Sequence, residues 1–307
     1  MNTSNKIPSV DFRKDEQPEL GFEVLRIEDL FHKIQDKENL EHDSDLPHKL
    51  NFFIIFFITE GSSEHFIDFK WYPYQENSML FIARGQVQAF KFTSQVKGWC
   101  LFFTEEFFHE QLLSIDPTIV QRLYNYQLFS PVLTHSAEES GIEEYFKMAF
   151  KEYHTPEATG KKDILQALCK AILIKAERIR QTTSIKIEEN QYYEIFSEFK
   201  RLVESEYTTN RNAAFYAEKL FITYKHLNTI CKEMVGKTAK SYIDAYIILE
   251  AKRLLVSSNL KTNEISDQLG FDEPTNFVKF FKKETTFTPK QFKSGFRKQD
   301  PGDSNIT

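Results

Sequence analysis

The chain has 307 residues, 41% of them hydrophobic and 30 of them Phe, enough apolar material for two cores and too much for a disordered chain. Its net charge of −6 would argue against nucleic acid, but the charge is uneven: residues 201–298 carry 17 Lys and Arg against 11 Asp and Glu, while residues 1–200 carry 22 against 32. Cys100, Cys169 and Cys231 have no metal-ligand spacing and an odd count, as in a reduced compartment, and no apolar run approaches a membrane span, so the reading is a cytoplasmic protein with no membrane partner.

Residues 1–20 are polar and read as a flexible N-terminus, and order begins with Phe22–Phe31. From Leu50 the text becomes strand-like. Phe52–Thr59 is a buried run, Glu60–Ser63 a turn, and His65–Phe69 alternates as a strand does. Trp71–Pro73 and Glu76–Ser78 read as turns, and Met79–Ala83, Val87–Phe92 and Gly98–Phe103 as further strands, at intervals suited to a small barrel.

After Thr104 the pattern turns helical, over Glu105–Leu113, Pro117–Tyr126, Ser136–Tyr153 and Lys161–Arg180. The last carries Ile164, Leu165, Leu168, Ile172 and Ile179 on one stripe, which is either core or a dimer seam. Residues 181–190 are polar and read as a linker. Gln191–Glu206 then opens a helical region with Ile195, Phe196, Phe199, Leu202 and Val203 inward.

Two helix, turn, helix patterns follow. In the first, a short helix at Tyr216–Leu220 is followed by Phe221 and Ile222 in the turn and Thr223 as a cap. The next helix runs to Gly236, burying Leu227, Ile230, Cys231 and Met234 and exposing Tyr224, Lys225, His226, Asn228, Thr229 and Lys232. Thr238–Ser257 is a bridge with Ile243, Tyr246, Ile247, Leu254 and Leu255 as its inward stripe. The second pattern has a helix over Lys261–Leu269, a turn at Gly270 and Phe271, and Pro274 opening a helix with Phe277, Phe280 and Phe281 on one face. Thr275, Asn276, Lys279, Lys282 and Lys283 occupy the other face. Basic and amide side chains opposite an apolar anchor suit contact with phosphates and base edges.

The blocks Tyr216-Ala217-Glu218-Lys219-Leu220, Lys252-Arg253-Leu254-Leu255, Leu269-Gly270-Phe271, Asn276-Phe277, Phe280-Phe281-Lys282-Lys283 and Phe287-Thr288-Pro289-Lys290-Gln291-Phe292 make this third of the chain resemble the DNA-binding domain of AraC/XylS transcription regulators. Phe287 departs from the small residue common there, and Thr285-Thr286 is a β-branched pair at a helix end. Through Phe66-Ile67-Asp68-Phe69, Leu80-Phe81-Ile82, Gly85-Gln86-Val87 and Phe102–Phe108, the first half resembles the cupin-like effector domain of such regulators. The fold class so implied is α+β: an N-terminal cupin-like β-barrel with following helices, then an all-α domain of two helix-turn-helix units joined by a long linker helix. The expected domains are residues 21–112 for effector sensing, 113–180 for dimerisation, 181–190 as linker and 191–298 for DNA binding, with a flexible tail at 299–307.

The function the resemblance implies is a sequence-specific transcription regulator, a homodimer on double-stranded DNA that answers to a small-molecule effector, with RNA polymerase as a further partner. The expected DNA contacts are Lys225, His226, Asn228, Thr229 and Lys232 in the first recognition helix and Thr275, Asn276, Lys279 and Lys282 in the second. Asn228, with a paired donor and acceptor, is the best base reader and Lys232 a phosphate contact; a solvated helix face is the alternative for each. On this basis the first helix should carry more of the base discrimination and the second more of the backbone anchoring. A candidate effector pocket comprises His48, Phe53, Phe57, Phe66, Gln88 and Trp99, the other reading of these aromatics being plain core. Metal-dependent relatives of the barrel often keep a His-x-His pair where only His48 stands here, and a His where Gln88 stands. No metal, cofactor or enzymatic activity is therefore expected. The alternatives are a metal-dependent cupin enzyme fused to a DNA-binding module and a constitutive DNA-binding dimer.

Overall fold

The structure, a computed structural model, describes residues 9–12, 20–35, 47–91, 95–107, 119, 123–124, 129–135, 141–156, 159–183 and 192–296. Most of the helix expected at Pro117–Tyr126, most of Glu105–Leu113, the start of Ser136–Tyr153 and most of the 181–190 linker lie outside them. The described residues fall into two compact units that divide after residue 185.

In the first unit the strands are β1 (Ser9–Val10), β2 (Phe22–Arg26), β3 (His48–Leu50), β4 (Phe53–Glu60), β5 (Ser63–Ile67), β6 (Lys70–Tyr74), β7 (Ser78–Ile82), β8 (Val87–Ala89), β9 (Lys97–Phe103) and β10 (Val132–Thr134). They do not close into the expected single barrel. They form two five-stranded sheets, ordered β1-β3-β8-β5-β6 and β10-β7-β4-β9-β2. A nine-residue helix, α1 (Ile27–Gln35), follows β2; α2 (Ile142–His154) and α3 (Lys161–Thr183) come later.

The run Phe53–Ile58 is continuously apolar because β4 is central to its sheet and covered on both faces. Ile54, Phe56 and Ile58 pack with Ile67, Tyr74, Ile82 and Phe102, a cluster that draws on both sheets. Ile55 and Phe57, on the other face, pack with Phe146, Leu165, Ile172, Leu173 and Ala176 of α2 and α3. The helices assigned to a separate dimerising segment thus share a core with the sheet. Ile164, expected in the buried stripe of α3, is exposed, while Cys169, Leu173 and Ala176 are buried. Leu165, Ile172 and Ile179 of the expected stripe are buried against the sheet, so the stripe keeps its line and only its Ile164 margin faces outward.

Trp71–Pro73 is a strand, not a turn. Its register pairs Phe66 with Trp71 and Glu64 with Pro73. Proline is tolerated there because β6 is the edge of its sheet, where a missing N–H breaks no ladder. The reversal falls instead at Asp68 and Phe69, both at positive φ (47° and 69°), as a two-residue hairpin turn requires.

Alternation also scatters the proposed effector pocket. Phe53, Phe57 and Trp99 belong to the side of the second sheet that faces the helices. Phe66 lies edge-on to Phe69 and tilted against Trp71. His48 and Gln88 are paired across β3 and β8 and packed with Phe56 and Phe90 between the sheets. Residues on opposite faces of one sheet cannot line one chamber, so this six-residue pocket does not exist as a unit. His48 and Gln88 meet a third residue instead, His65. The His65 Nε2–H donates to Gln88 Oε1 at 2.6 Å, and the Gln88 amide donates to His48 Nε2 at 2.5 Å. The two imidazoles are thereby held as different neutral tautomers by one carboxamide, with all three side chains buried. Among the described residues, no three His, Cys, Asp or Glu side chains come together as a metal site.

In the second unit α4 (Tyr193–Glu206) precedes α5 (Ala213–Lys219), α6 (Tyr224–Val235), α7 (Ala239–Ser257), α8 (Thr262–Gln268), α9 (Pro274–Thr285) and α10 (Pro289–Phe296). The long helix α7 is buried over most of its circumference, through Tyr242, Ile243, Ile247, Ile248, Ala251, Leu255 and Val256. The expected stripe is too narrow, because α7 touches α5 and α6 as well as α8, α9 and α10. Tyr242 meets Phe196 and Phe199 of α4, and the Lys252 ammonium lies over the Phe292 ring at 5.4 Å.

Burial without charge lowers His65 from 6.5 to about 4. The unfolded chain takes up this proton near pH 6.5 and the folded chain only near 4, so the stabilisation is complete above pH 6.5 and is lost as pH falls through this window. The loss is about 3 kcal/mol in all. The chain's two tryptophans, Trp71 and Trp99, both lie in the first unit, so thermal unfolding followed by tryptophan fluorescence should show its midpoint falling between pH 6.5 and 4. In His65→Asn that slope should flatten.

Candidate nucleic-acid interface

Each half of the second unit builds the same turn by the same hydrogen bonds. After α5, the Phe221 N–H donates to the Glu218 carbonyl and the Ile222 N–H to the Ala217 carbonyl, both at 3.0 Å. After α8, Gly270 N–H donates to Asp267 at 2.9 Å and Phe271 N–H to Ser266 at 3.0 Å. This is the Schellman pattern, which needs a left-handed residue just past the helix. Gly270 supplies it at φ 72° and Phe221 at φ 56°.

The two positions are otherwise opposites. A Cβ on Gly270 would lie 1.7 Å from the Thr208 carbonyl oxygen, so the second turn is seated against the chain that follows α4. Phe221 faces open space and is 96% exposed. Arg211 secures the same seat from the side. Its guanidinium donates to the Leu269 carbonyl at 2.8 Å and stacks 3.3 Å from the Phe271 centroid, and burial depresses its pKa, opposed by Asp272 and Asp244. Nothing in the sequence marks Arg211, a lone cation 58 residues from its partner.

The turns deliver α6 and α9. Thr223 caps α6, its hydroxyl oxygen accepting from the His226 N–H at 3.1 Å, and Pro274 opens α9 at a position where no N–H is needed. Leu227, Ile230 and Cys231 anchor α6, and Phe277 and Phe281 anchor α9. Burial pushes the Cys231 thiol up to about 12, which leaves it an inert core group. Met234 and Phe280, expected inward, are half-buried.

On the outward faces, Lys225, Thr229 and Lys232 of α6 and Thr275, Asn276, Lys279 and Lys282 of α9 are exposed. Thr229 donates its hydroxyl to the Lys225 carbonyl at 3.1 Å, which leaves its oxygen able to accept. Two of the nine expected contacts are half-buried against the fold. The His226 ring is half-buried, edge-on to Tyr192 at 5.5 Å. Asn228 is half-buried, and its Oδ1 accepts the Ala239 N–H at 3.0 Å. One lone pair of the Asn228 amide oxygen is thereby committed to the backbone that opens the following helix. A cleft of about 430 Å³ lined by Arg211, Ala213, Tyr224 and Lys240 adjoins the start of α6.

Between the two presenting helices runs α7, with 19 residues and a length of about 28 Å at 1.5 Å per residue. That is close to the 34–36 Å repeat of successive major-groove turns.

The family described as "Helix-turn-helix domain" matches residues 216–295. The xylose operon regulatory protein of Escherichia coli strain K12 is 36% identical over 72 residues, which is 24% of this chain and 18% of that protein; the match thus spans under a fifth of the relative's length. Among solved structures, ToxT from Vibrio cholerae aligns over 89% of this chain and 97% of its own at 16% identity and a TM-score of 0.44. The C-terminal domain of the two-component response regulator yesN from Fusobacterium nucleatum aligns over 33% of this chain and 98% of its own, at 28% identity and a TM-score of 0.31.

The two turns should respond oppositely to substitution. Phe221→Gly should stabilise the chain by about 0.5–1 kcal/mol, the relief of a left-handed side chain less the freedom glycine adds to the unfolded state. Gly270→Ala should cost about 3 kcal/mol or more, because strain and collision add. Scanning calorimetry of the two full-length variants checks both signs.

Proposed function

We propose, from the premise that residues 216–295 are a helix-turn-helix domain of the AraC type, that this chain is a sequence-specific DNA-binding regulator of transcription. In this reading α6 and α9 enter adjacent turns of one major-groove face. Lys225 and Thr229 in the first helix, and Thr275, Asn276 and Lys279 in the second, reach base edges and nearby phosphates. Lys232 and Lys282, a turn further along each helix, take backbone phosphates, with His226 at the margin. The observation that carries the reading is the duplication itself: the same turn, built twice, presents a polar and basic helix face from either end of one buried rod.

The basic surplus of residues 201–298 supports binding through this unit, since the acidic remainder would repel the phosphate backbone. The first unit, on the same proposal, responds to a small organic effector and brings two copies together through its helices, with RNA polymerase as the partner that reads the outcome. No enzymatic step is part of the proposal.

Selection from a random DNA pool should enrich a two-part site with its halves about one helical turn apart. On that site, Lys225→Ala and Lys279→Ala should each weaken binding and lower the slope of log affinity against log salt by about 1. Equal affinity for every sequence at fixed salt would count against the reading.

A further inference from the structure

From the recognition helix onward the two halves repeat at an offset of fifty residues, Tyr224 opening α6 and Pro274 opening α9. At this offset Leu227 matches Phe277, Cys231 matches Phe281 and Lys232 matches Lys282. The left-handed caps match too, Gly236 at φ 69° and Thr286 at φ 67°. So do the caps of the following helices: Thr238 accepts from Ser241 N–H at 3.1 Å and Thr288 from Gln291 N–H at 3.2 Å.

Asn228 then matches Val278, and Ala239 matches Pro289. Ala239 is the first residue of α7, is buried, and has an N–H that its own helix cannot satisfy. Asn228 accepts it across the turn. Pro289 is the first residue of α10, is buried, and has no N–H at all. The position that would face it holds Val278, half-buried and without a polar atom. Where the donor exists the recognition helix carries an acceptor, and where the donor is missing it carries an aliphatic group. The amide in the middle of α6 is thus accounted for by the helix that follows, with no reference to a base.

We infer, resting on the DNA-binding reading, that Asn228 is a positioning residue. It fixes the angle between α6 and α7, and so the spacing at which the two recognition helices meet the duplex. Base discrimination in the first half-site belongs to Lys225 and Thr229.

The test is a cycle of Asn228→Val, Ala239→Pro and the double variant in the full chain. Proline suits the first position of a helix, and Thr238, at φ −71° and ψ 158°, already has the extended backbone that a residue before proline adopts. Asn228→Val leaves the Ala239 donor buried and unsatisfied, so its melting temperature should fall by roughly 4–8 °C. The double variant, which copies the second half, should recover to within about 2 °C of the wild type, a strong departure from additivity. In random-pool selection Asn228→Val should keep the wild-type base preferences in the first half-site while accepting a wider range of spacings, and the double variant should regain the single spacing. Additive stability effects would overturn the pairing. Loss of preference at one base of the first half-site in the well-folded double variant would overturn the positioning role in favour of base reading. A wild-type chain that enriches no sequence would overturn the DNA-binding reading and the spacing claim with it, and the stability cycle would still decide the pairing by itself.

Discussion

The second unit depends on keeping one helix buried on nearly every side. A helix of 19 residues that is apolar around most of its circumference cannot face water, so α7 has to be wrapped. The chain wraps it with two copies of a small motif, neither of which has enough core of its own. Phe196, Phe199 and Tyr216 close around Tyr242 on one side, and Phe277, Phe281 and Phe292 form the partner cluster on the other. Because both motifs are built on one rod, the separation of their outward helices is set by covalent length and helical rise rather than by a hinge.

The seat of Gly270 on Thr208 and the reach of Arg211 to Leu269 add a second constraint. They bind the segment leading into the first motif to the turn of the second, so the motifs are held to each other as well as to α7. Without that link a rod carrying two small lobes would still leave each lobe free to roll. With it, the residues at the start of α5 and the turn before α9 form one structural element that joins both ends of the sequence repeat.

How much of this could be read from the sequence followed from the range of the signal. Most helices of the second unit are legible because their signals are local: apolar side chains three and four apart, Thr before the helix, Gly after it; the start of α5 at Ala213 and the whole of α10 are not. The left-handed Phe221 carries no such mark, and only comparison with Gly270 in the parallel motif exposes it. In the first unit the strands β4, β5, β7, β8 and β9 are legible, while β1, β2, β3 and β10, the edge strand β6 and the arrangement of all of them are not. Asp68-Phe69 continues the alternation of the strand before it and so hides the reversal, and Pro73 reads as a turn because its tolerance depends on β6 being an edge, a property of the whole sheet. The buried group of His48, His65 and Gln88 joins three strands that are adjacent in space and scattered in sequence. His48 and Gln88 stood out by their chemistry, but their grouping with Phe57 and Trp99 ignored the side of the sheet each residue faces. Asn228 is the same lesson at the interface. Its residue type suggested a base, and its partner, eleven residues on, could be known only from the fold.

The hydrogen bond from Ala239 to Asn228 also says where one motif ends and the next element begins. By secondary structure the first recognition helix stops at Val235, and a module exchanged between regulators would naturally be cut there. The contact places the boundary four residues later, inside α7. A graft of residues 224–235 alone would transplant an acceptor without its donor, or a donor without its acceptor, whereas a graft of 224–239 carries its own junction. The portable unit of recognition in this chain is therefore a helix together with the first residue of its successor.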